Sequence, residues 1–493
     1  MNTTIYDDLI IQIISNQFGE FVGRVSRELL LHPTTIFDLW RRTKFPYSRV
    51  YEALLVLLHH GILRYSKDEP MVCSIDQNRV LFSLRHPHFV ALMQVKFGDL
   101  AKSISMTLLS YGMLNFDDLY AVIQSKEPEL DRKEVKKTFD DLVKAKYIMR
   151  VNKNISDLAQ LERTSTPAPS FSIMKQNDGQ KKKGRKKSKA EIEKPIPKKM
   201  KAGVDIKNIN SPLDQENQED VEPVWMVNIE VYNKENILSK ILEMATKKFD
   251  EKAGPIINKM WELSACGKTP VDFAVLCQNL IELPPETVRK YLEMMTRDEP
   301  FIVAKNQSAV VAETNSYKLQ VEAATAFLKG QLIESTLSSR YGVLAANVFR
   351  VLKMKHVLTD SQIADLLIGD IDNIRGILFK LFQAGFINGQ EVPRSHLRGG
   401  KNAYFMWSVN FSQTNAILLR ETAKAIMNTT ERYRMEISMK AELIAKFKEG
   451  EEMQKLLLNT EEMSEYMLLD KRQRLLLDAL YNLSGMFFCL KDY

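Results

Sequence analysis

Apolar positions in this chain fall into a spaced stripe that recurs along its length. Val50, Leu54, Leu57 and Gly61 share their offsets with Val135, Phe139, Leu142 and Lys146, and with Ile374, Leu378, Leu381 and Gly385. Steps of four and three residues put such side chains on one face of a helix. Val288, Leu292 and Met295 repeat the stripe, but the register loosens before Phe301. Behind each stripe stands a short β-favouring run, at 62–65, 147–151, 301–304 and 386–387, which predicts a helix feeding into a strand. The spacing is 85 residues from Val50 to Val135 and 86 from Val288 to Ile374. A coupled helix and strand at near-constant spacing predicts a repeated domain rather than one large enzyme core.

The segments around each stripe extend the pattern. Residues 5–16, 21–31 and 35–42 read as helices, and Ser48 is the expected N-cap of the helix carrying Val50, with Pro46 just outside it. After 62–65 come the turn-rich SKDEP and then MVCSI. Helices followed by a small hairpin describe a winged helix. The second copy starts near Phe97, and its return strand, VWMVNIEV, does not appear until Val224. Residues 154–222 between the two strands are rich in Pro, Ser, Asn, Gln, Lys and Glu, and read as a disordered insertion within a wing or as an ordinary interdomain linker. The third copy follows from about Tyr232, and the fourth spans 323–412, with FINGQEVPR and AYFMWSVNF around a turn holding Gly399 and Gly400. From Thr414 to about Lys455 there is no proline, and Gly450 is the only glycine. Tyr433, Ile437, Ile444 and Phe447 keep a broken heptad rhythm there, which predicts a long helix. Segments 456–458, 466–469 and 475–483 then fold back against it. The expected fold is mostly α with small β wings. It comprises four tandem, extended winged-helix domains at 1–95, 96–231, 232–322 and 323–412, then an antiparallel coiled-coil hairpin at 413–493.

Charge changes this picture at one place. The net charge is +7, yet 181–201 holds eleven Lys/Arg and two acids, so the remainder sums to −2. Lys181, Lys182, Lys183, Arg185, Lys186, Lys187 and Lys189 form a candidate nuclear-import signal or nucleic-acid contact, the alternative being a solvated linker. A winged helix reads DNA through the exposed face of its last helix. The first copy offers Arg49 beside Glu52, and the third mixes Glu286, Arg289, Lys290 and Glu293. The fourth sets Arg375 among Asp370, Asp372 and Asn373. Only the second, with Arg132, Lys133, Lys136 and Lys137, is distinctly basic, and Asp131 and Glu134 dilute it, so backbone contact is expected there rather than operator reading.

Catalytic chemistry finds no footing. Cys73, Cys266, Cys277 and Cys489 are scattered without a CxxC pair, which argues against zinc or an iron–sulfur centre and for free thiols in a reducing compartment. ACGKTP lacks the glycine a phosphate loop needs, since Glu262 stands there. His59 and His60 are adjacent and point in different directions, so they make a poor chelating pair. No run approaches the ~20 apolar residues of a membrane span, and acids stand where a signal peptide needs bases. A soluble, intracellular, non-catalytic chain without cofactor or metal is the expectation.

Several ordered motifs then carry a resemblance. FGEFVGRVSRELL with SRVYEALLVLLHHGILRY, RVLFSLRHPHFV at 79–90, LLSYG at 108–112 and Trp225 after the basic insertion are similar to the third-largest subunit of eukaryotic RNA polymerase III, the winged-helix subunit peculiar to that polymerase. SRYGVLAANVFRVLKMKHVLTDSQIADL at 339–366, QEVPR at 390–394 and a wing ending in YFMWSVN continue it over nearly the whole chain. The resemblance implies a nuclear, non-catalytic subunit on the clamp side of the polymerase, joined to two further polymerase-specific subunits. It also implies contact with initiation factors and promoter DNA, help in promoter opening, and a part in synthesis of transfer RNA, 5S ribosomal RNA and other short RNAs. A winged-helix DNA-binding transcription regulator and a winged-helix scaffold of another multisubunit assembly are the competing readings.

Overall fold

Four small antiparallel sheets stand among the described residues, each behind a group of helices. The computed structural model describes residues 5–66, 72–128, 130–151, 223–281, 283–306, 316–393, 403–452 and 459–492. The expected insertion at 154–222 and the turn with Gly399 and Gly400 lie outside them.

The first unit runs α1 (Ile5–Phe18), α2 (Glu20–Leu31), β1 (Thr34–Thr35), α3 (Ile36–Thr43), α4 (Tyr47–His59), β2 (Leu63–Tyr65) and β3 (Val72–Ile75), with strand order β1-β3-β2. A connector, α5 (Gln77–Phe82) and a 3-10 turn (Ser83–Arg85), leads to the second unit. That unit is α6 (His86–Phe97), α7 (Asp99–Tyr111), α8 (Phe116–Lys126), α9 (Arg132–Lys144), β4 (Ile148–Arg150) and β5 (Trp225–Val227). The third is α10 (Ile229–Lys248), α11 (Ala253–Leu263), β6 (Val271–Asp272), α12 (Phe273–Asn279), α13 (Pro285–Arg297), β7 (Val303–Asn306) and β8 (Ser316–Leu319). The fourth is α14 (Val321–Tyr341), α15 (Val343–Lys355), β9 (Val357–Thr359), α16 (Asp360–Leu367), α17 (Ile371–Gln383), β10 (Asn388–Pro393) and β11 (Ala403–Ser408). Then come α18 (Phe411–Met439), α19 (Ala441–Glu452) and α20 (Thr460–Asp492).

The stripe residues are the core. All twelve, from Val50 to Leu381, are buried, and burying each such side chain contributes roughly 1.5–3 kcal/mol. The backbone repeats as closely as the side chains. Gly61, Lys146 and Gly385 hold the same stripe position after α4, α9 and α17, and each is left-handed, with φ of 67°, 64° and 79°. The next amide in each copy, of Ile62, Tyr147 or Phe386, donates to the carbonyl of Leu57, Leu142 or Leu381 at 2.8, 3.0 and 2.9 Å. In the third copy the left-handed residue is Phe301, two positions later than the register of the others, and this accounts for the loosened stripe. Each of the first three wings closes the same way: the amides of Asp76, Asn228 and Gln320 return to the carbonyls of Ile62, Tyr147 and Ile302.

Four expectations need correction. The helix carrying Val50 starts at Tyr47, with Pro46 as its N-cap and no side-chain capping bond, so Ser48 already lies inside it. The prolyl ring presets its own φ, and the Pro46 carbonyl receives Arg49 and Val50 at 3.1 and 3.2 Å. Phe386 and Ile387 are buried core residues, and the strand they were expected to form begins at Asn388, where pairing with Ser408 starts. Phe301 likewise precedes its strand, which begins at Val303. The long helix after Ser412 is broken at Lys440, with φ −118° and ψ 24°, before α19 resumes.

The last helices run antiparallel. Asn415 meets the Leu490 carbonyl at 3.1 Å, Glu436 meets Arg472 at 3.7 Å and Lys440 meets Glu465 at 2.7 Å, while Lys446 pairs with Glu462 at 2.9 Å. Rising numbers on one side meet falling numbers on the other. Along its opposite side, α18 holds α1 through Gln12 to the Met427 carbonyl at 3.3 Å and through Arg434 to Asn16 at 2.7 Å.

Candidate functional site

The helix before each wing hairpin leaves one face exposed to solvent, and the four faces differ in chemistry. Asp131 caps α9 by accepting the Lys133 amide, which begins the helix so that Val135, Phe139 and Leu142 turn inward. Arg132, Lys133, Lys136 and Lys137 consequently point to solvent. Arg132 is tied to Asp117 and lies over the rings of Tyr120 and Phe116, whereas Lys133, Lys136 and Lys137 have no ion-pair partner among the described residues. Exposed Lys144 adds to the same side, where its partner is Asp141 at 3.4 Å. This is an array of cations able to meet phosphates without reading bases.

The face of α17 is different. Arg375 donates to Asp360 at 2.6 Å and to Asp372 at 3.4 Å, so its guanidinium is committed within the unit. Further along the helix Phe379 is 63% exposed and Phe382 45%, and Phe405 on β11 is 46% exposed. The Phe382 and Phe405 rings both approach Trp407, with centroids 5.9 Å away. Aromatic surface on this scale, where a DNA reader needs donors, suits protein contact. In the first unit Arg49 and Glu52 are both exposed, and in the third Arg289 lies over the Phe273 ring at 5.1 Å. The run Lys181, Lys182, Lys183, Arg185, Lys186, Lys187 and Lys189 lies outside the described residues.

The motif at 79–90 is a junction. Asp76 caps α5 through the amides of Asn78 and Arg79, and Pro87 stands in the first turn of α6. Between the two helices Arg85 is only 3% exposed. A buried guanidinium needs compensation, and here Asp492 of α20 supplies a carboxylate at 3.0 Å, Asn233 of α10 an amide oxygen, and Phe488 a ring face 3.7 Å away. His88 joins the same helix, with Nε2 at 2.9 Å from Ser484 Oγ and 3.1 Å from the Tyr481 carbonyl, its ring stacked on Tyr481 at 3.6 Å. Nearby, His60 and His86 are each held down at about 4, chiefly by burial and further by Arg79. Periodicity singles out none of Arg85, Asn233 and Asp492, and their only signal is a lone Arg within LFSLRHP.

Among the described residues no group of three His, Cys, Asp or Glu could hold a metal ion. Cys73 is buried and the other thiols are partly so, and burial pushes Cys73 and Cys489 up to about 11, away from nucleophilic use. No described helix is long and apolar enough to cross a membrane.

Comparison with known proteins bears out the resemblance. Residues 8–68 match the family model of the RNA polymerase III subunit RPC82 helix-turn-helix domain, and 333–409 match that of the C-terminal winged-helix domain of POLR3C. The chain is similar to the DNA-directed RNA polymerase III subunit RPC3 of Rattus norvegicus, 21% identical over 468 residues, which is 88% of this chain and 85% of that one. The Homo sapiens subunit is 20% identical, again over 88% and 85%. That of Dictyostelium discoideum is 23% identical over 281 residues, 53% of this chain and 42% of that protein.

Proposed function

We propose that this chain is the winged-helix, non-catalytic subunit of a nuclear RNA polymerase III, acting in transcription initiation. The observation that carries the reading is collinearity: similarity to one polymerase subunit extends over 88% of the chain, with family models matching at 8–68 and 333–409. Four tandem winged-helix domains at 1–95, 96–231, 232–322 and 323–412 and a coiled-coil hairpin at 413–493 fit the fourfold recurrence of the left-handed residue and wing. The basic face of α9 contacts the DNA backbone near an opened promoter. The aromatic face of α17, and the exposed Met467, Leu468 and Leu475 of α20, dock on other subunits of the initiation subcomplex and the clamp. The segment with Lys181 to Lys189 serves nuclear import, nucleic-acid contact, or both.

Purification of the tagged chain at mild salt, followed by identification of its partners, tests this. Polymerase III subunits are expected in stoichiometric amounts. Polymerase depleted of the chain should extend RNA on a pre-opened template yet fail to initiate on a transfer-RNA gene. Recovery with a different assembly would overturn the reading, and initiation undiminished by depletion would remove the initiation role.

A further inference from the structure

A cleft of about 760 Å³ opens between the first and second units, beside the junction motif. Its basic lining groups are His60 from the end of α4, Arg79 from α5, His86 from α6 and Lys102 from α7. No carboxylate stands among the described residues that line it. Asp76 is the acid that acts on Arg79, but its Oδ2 already receives Arg64 at 2.9 and 2.5 Å. Arg79 Nη1 donates to the Val227 carbonyl at 3.2 Å, while its remaining N–H groups carry its charge into the cleft. Neither the His60 nor the His86 ring nitrogens have a hydrogen-bond partner among the described residues, and Lys102 has no ion pair there. The rest of the wall is mainly apolar, including Phe18, Phe82, Val90 and Met106.

We propose that this cleft receives a short acidic–apolar segment of a partner polypeptide, with carboxylates held by His60, Arg79, His86 and Lys102 and an apolar side chain seated against Phe82 and Met106. Three features select that occupant. The volume lies within the roughly 300–1,000 Å³ of ligand-binding clefts. Arg79 and Lys102, with no acid in the wall, leave a positive field that low-dielectric walls strengthen. A phosphate backbone would match the donors but leave the apolar wall uncovered, so an extended peptide with both kinds of side chain fits better than nucleic acid. Buried imidazoles are neutral at physiological pH, so they offer N–H donors without the cost of burying two further charges.

The inference is independent of the polymerase reading, because it is tested on the purified full chain alone. Fluorescence polarisation would use short dye-labelled peptides alternating Glu with Leu or Phe, a matched set with Lys in place of Glu, and a short oligo-dT. The acidic set should bind and the basic set should not. Lys102→Glu and Met106→Glu, both on the cleft rim, should each weaken acidic-peptide binding by about tenfold or more. Lys355→Glu, exposed at the end of α15 and outside the cleft, should leave it unchanged. Equal binding of the two peptide sets, no binding by either, or indifference to both rim substitutions would overturn the proposal. Oligo-dT binding that is lost on the same substitutions and resists competition by acidic peptides would overturn it too, assigning the cleft to phosphate.

Discussion

Burial makes identical side chains differ in consequence, and the cationic groups around 79–90 show how far. Arg64 and Arg85 each pair with an aspartate, but the Arg64 side chain is 68% exposed and that of Arg85 only 4%. Water screens the first pair, so Arg64→Ala should cost under about 1 kcal/mol. The second joins three segments, so Arg85→Ala should cost on the order of 3 kcal/mol and lower the unfolding midpoint of the full chain well beyond Arg64→Ala. Equal shifts would mean that the α20 junction carries no tertiary stability. His60 and His86 add a pH dependence of known sign. Their folded values, about 4, lie below the ordinary histidine value of 6.5. The unfolded chain therefore binds more protons between those limits, and the stability they contribute is full above about 6.5 and lost as pH falls towards about 4. Thermal unfolding between pH 7 and 4.5 should show this loss, and His60→Gln with His86→Gln should flatten the curve relative to the parent.

Elements were legible in this sequence wherever one face had to be buried. Ile374, Leu378 and Leu381 are each 0% exposed, while Arg375 and Lys380, off the stripe, face solvent. Leu378→Ala should therefore cost roughly 2–5 kcal/mol, and Lys380→Ala should stay within about 0.5 kcal/mol, as read by denaturant unfolding. Wing boundaries were less legible, because strand pairing rather than β propensity selects them: apolar Phe386 and Ile387 pack inward, and Asn388 to Pro393, of which only Val392 is a strong strand former, make the ladder. The junction pairs were not legible at all, since Arg85 meets Asn233 and Asp492 across 148 and hundreds of residues, respectively. One sequence signal does extend the repeat upstream. Phe18-Gly19, Phe97-Gly98 and Tyr341-Gly342 each join two helices with the glycine at φ 92°, 87° and 92° and an extended ψ, and Phe249-Asp250 takes their place in the third unit with φ 156°. That backbone region is essentially closed to side chains and costs about 1–3 kcal/mol. Gly98→Ala meets no atom within 4 Å, so any destabilisation of that size would come from backbone strain alone. A neutral result in thermal unfolding would show that the helix junction relaxes.

At the scale of the whole molecule, charge and apolar surface are sorted onto different units, and the proposed function assigns them separate partners. The described basic array stands on α9, with Lys133, Lys136 and Lys137 exposed and unpaired among the described residues, while α17 exposes Phe379 and Phe382 and neutralises its arginine internally. Each lysine that meets a phosphate releases counterions, so binding to duplex DNA should fall with salt with a slope of about 0.9 per contact. Replacing Lys133, Lys136 and Lys137 together by Ala should flatten that slope by up to three contacts' worth, equally for any DNA sequence. Phe379→Ser should leave the slope unchanged and instead reduce recovery of the polymerase with the tagged chain, since an exposed aromatic anchor of this kind commonly contributes about 2 kcal/mol or more to an interface. Two measurements on the same pair of variants decide the matter: salt titration of DNA binding and stoichiometry of co-purification. If the lysine variant loses the polymerase while the phenylalanine variant loses DNA, the two faces have been assigned the wrong way round. Should both variants lose both, the faces would form one composite surface, and the sorting of charge onto α9 would have no separate role.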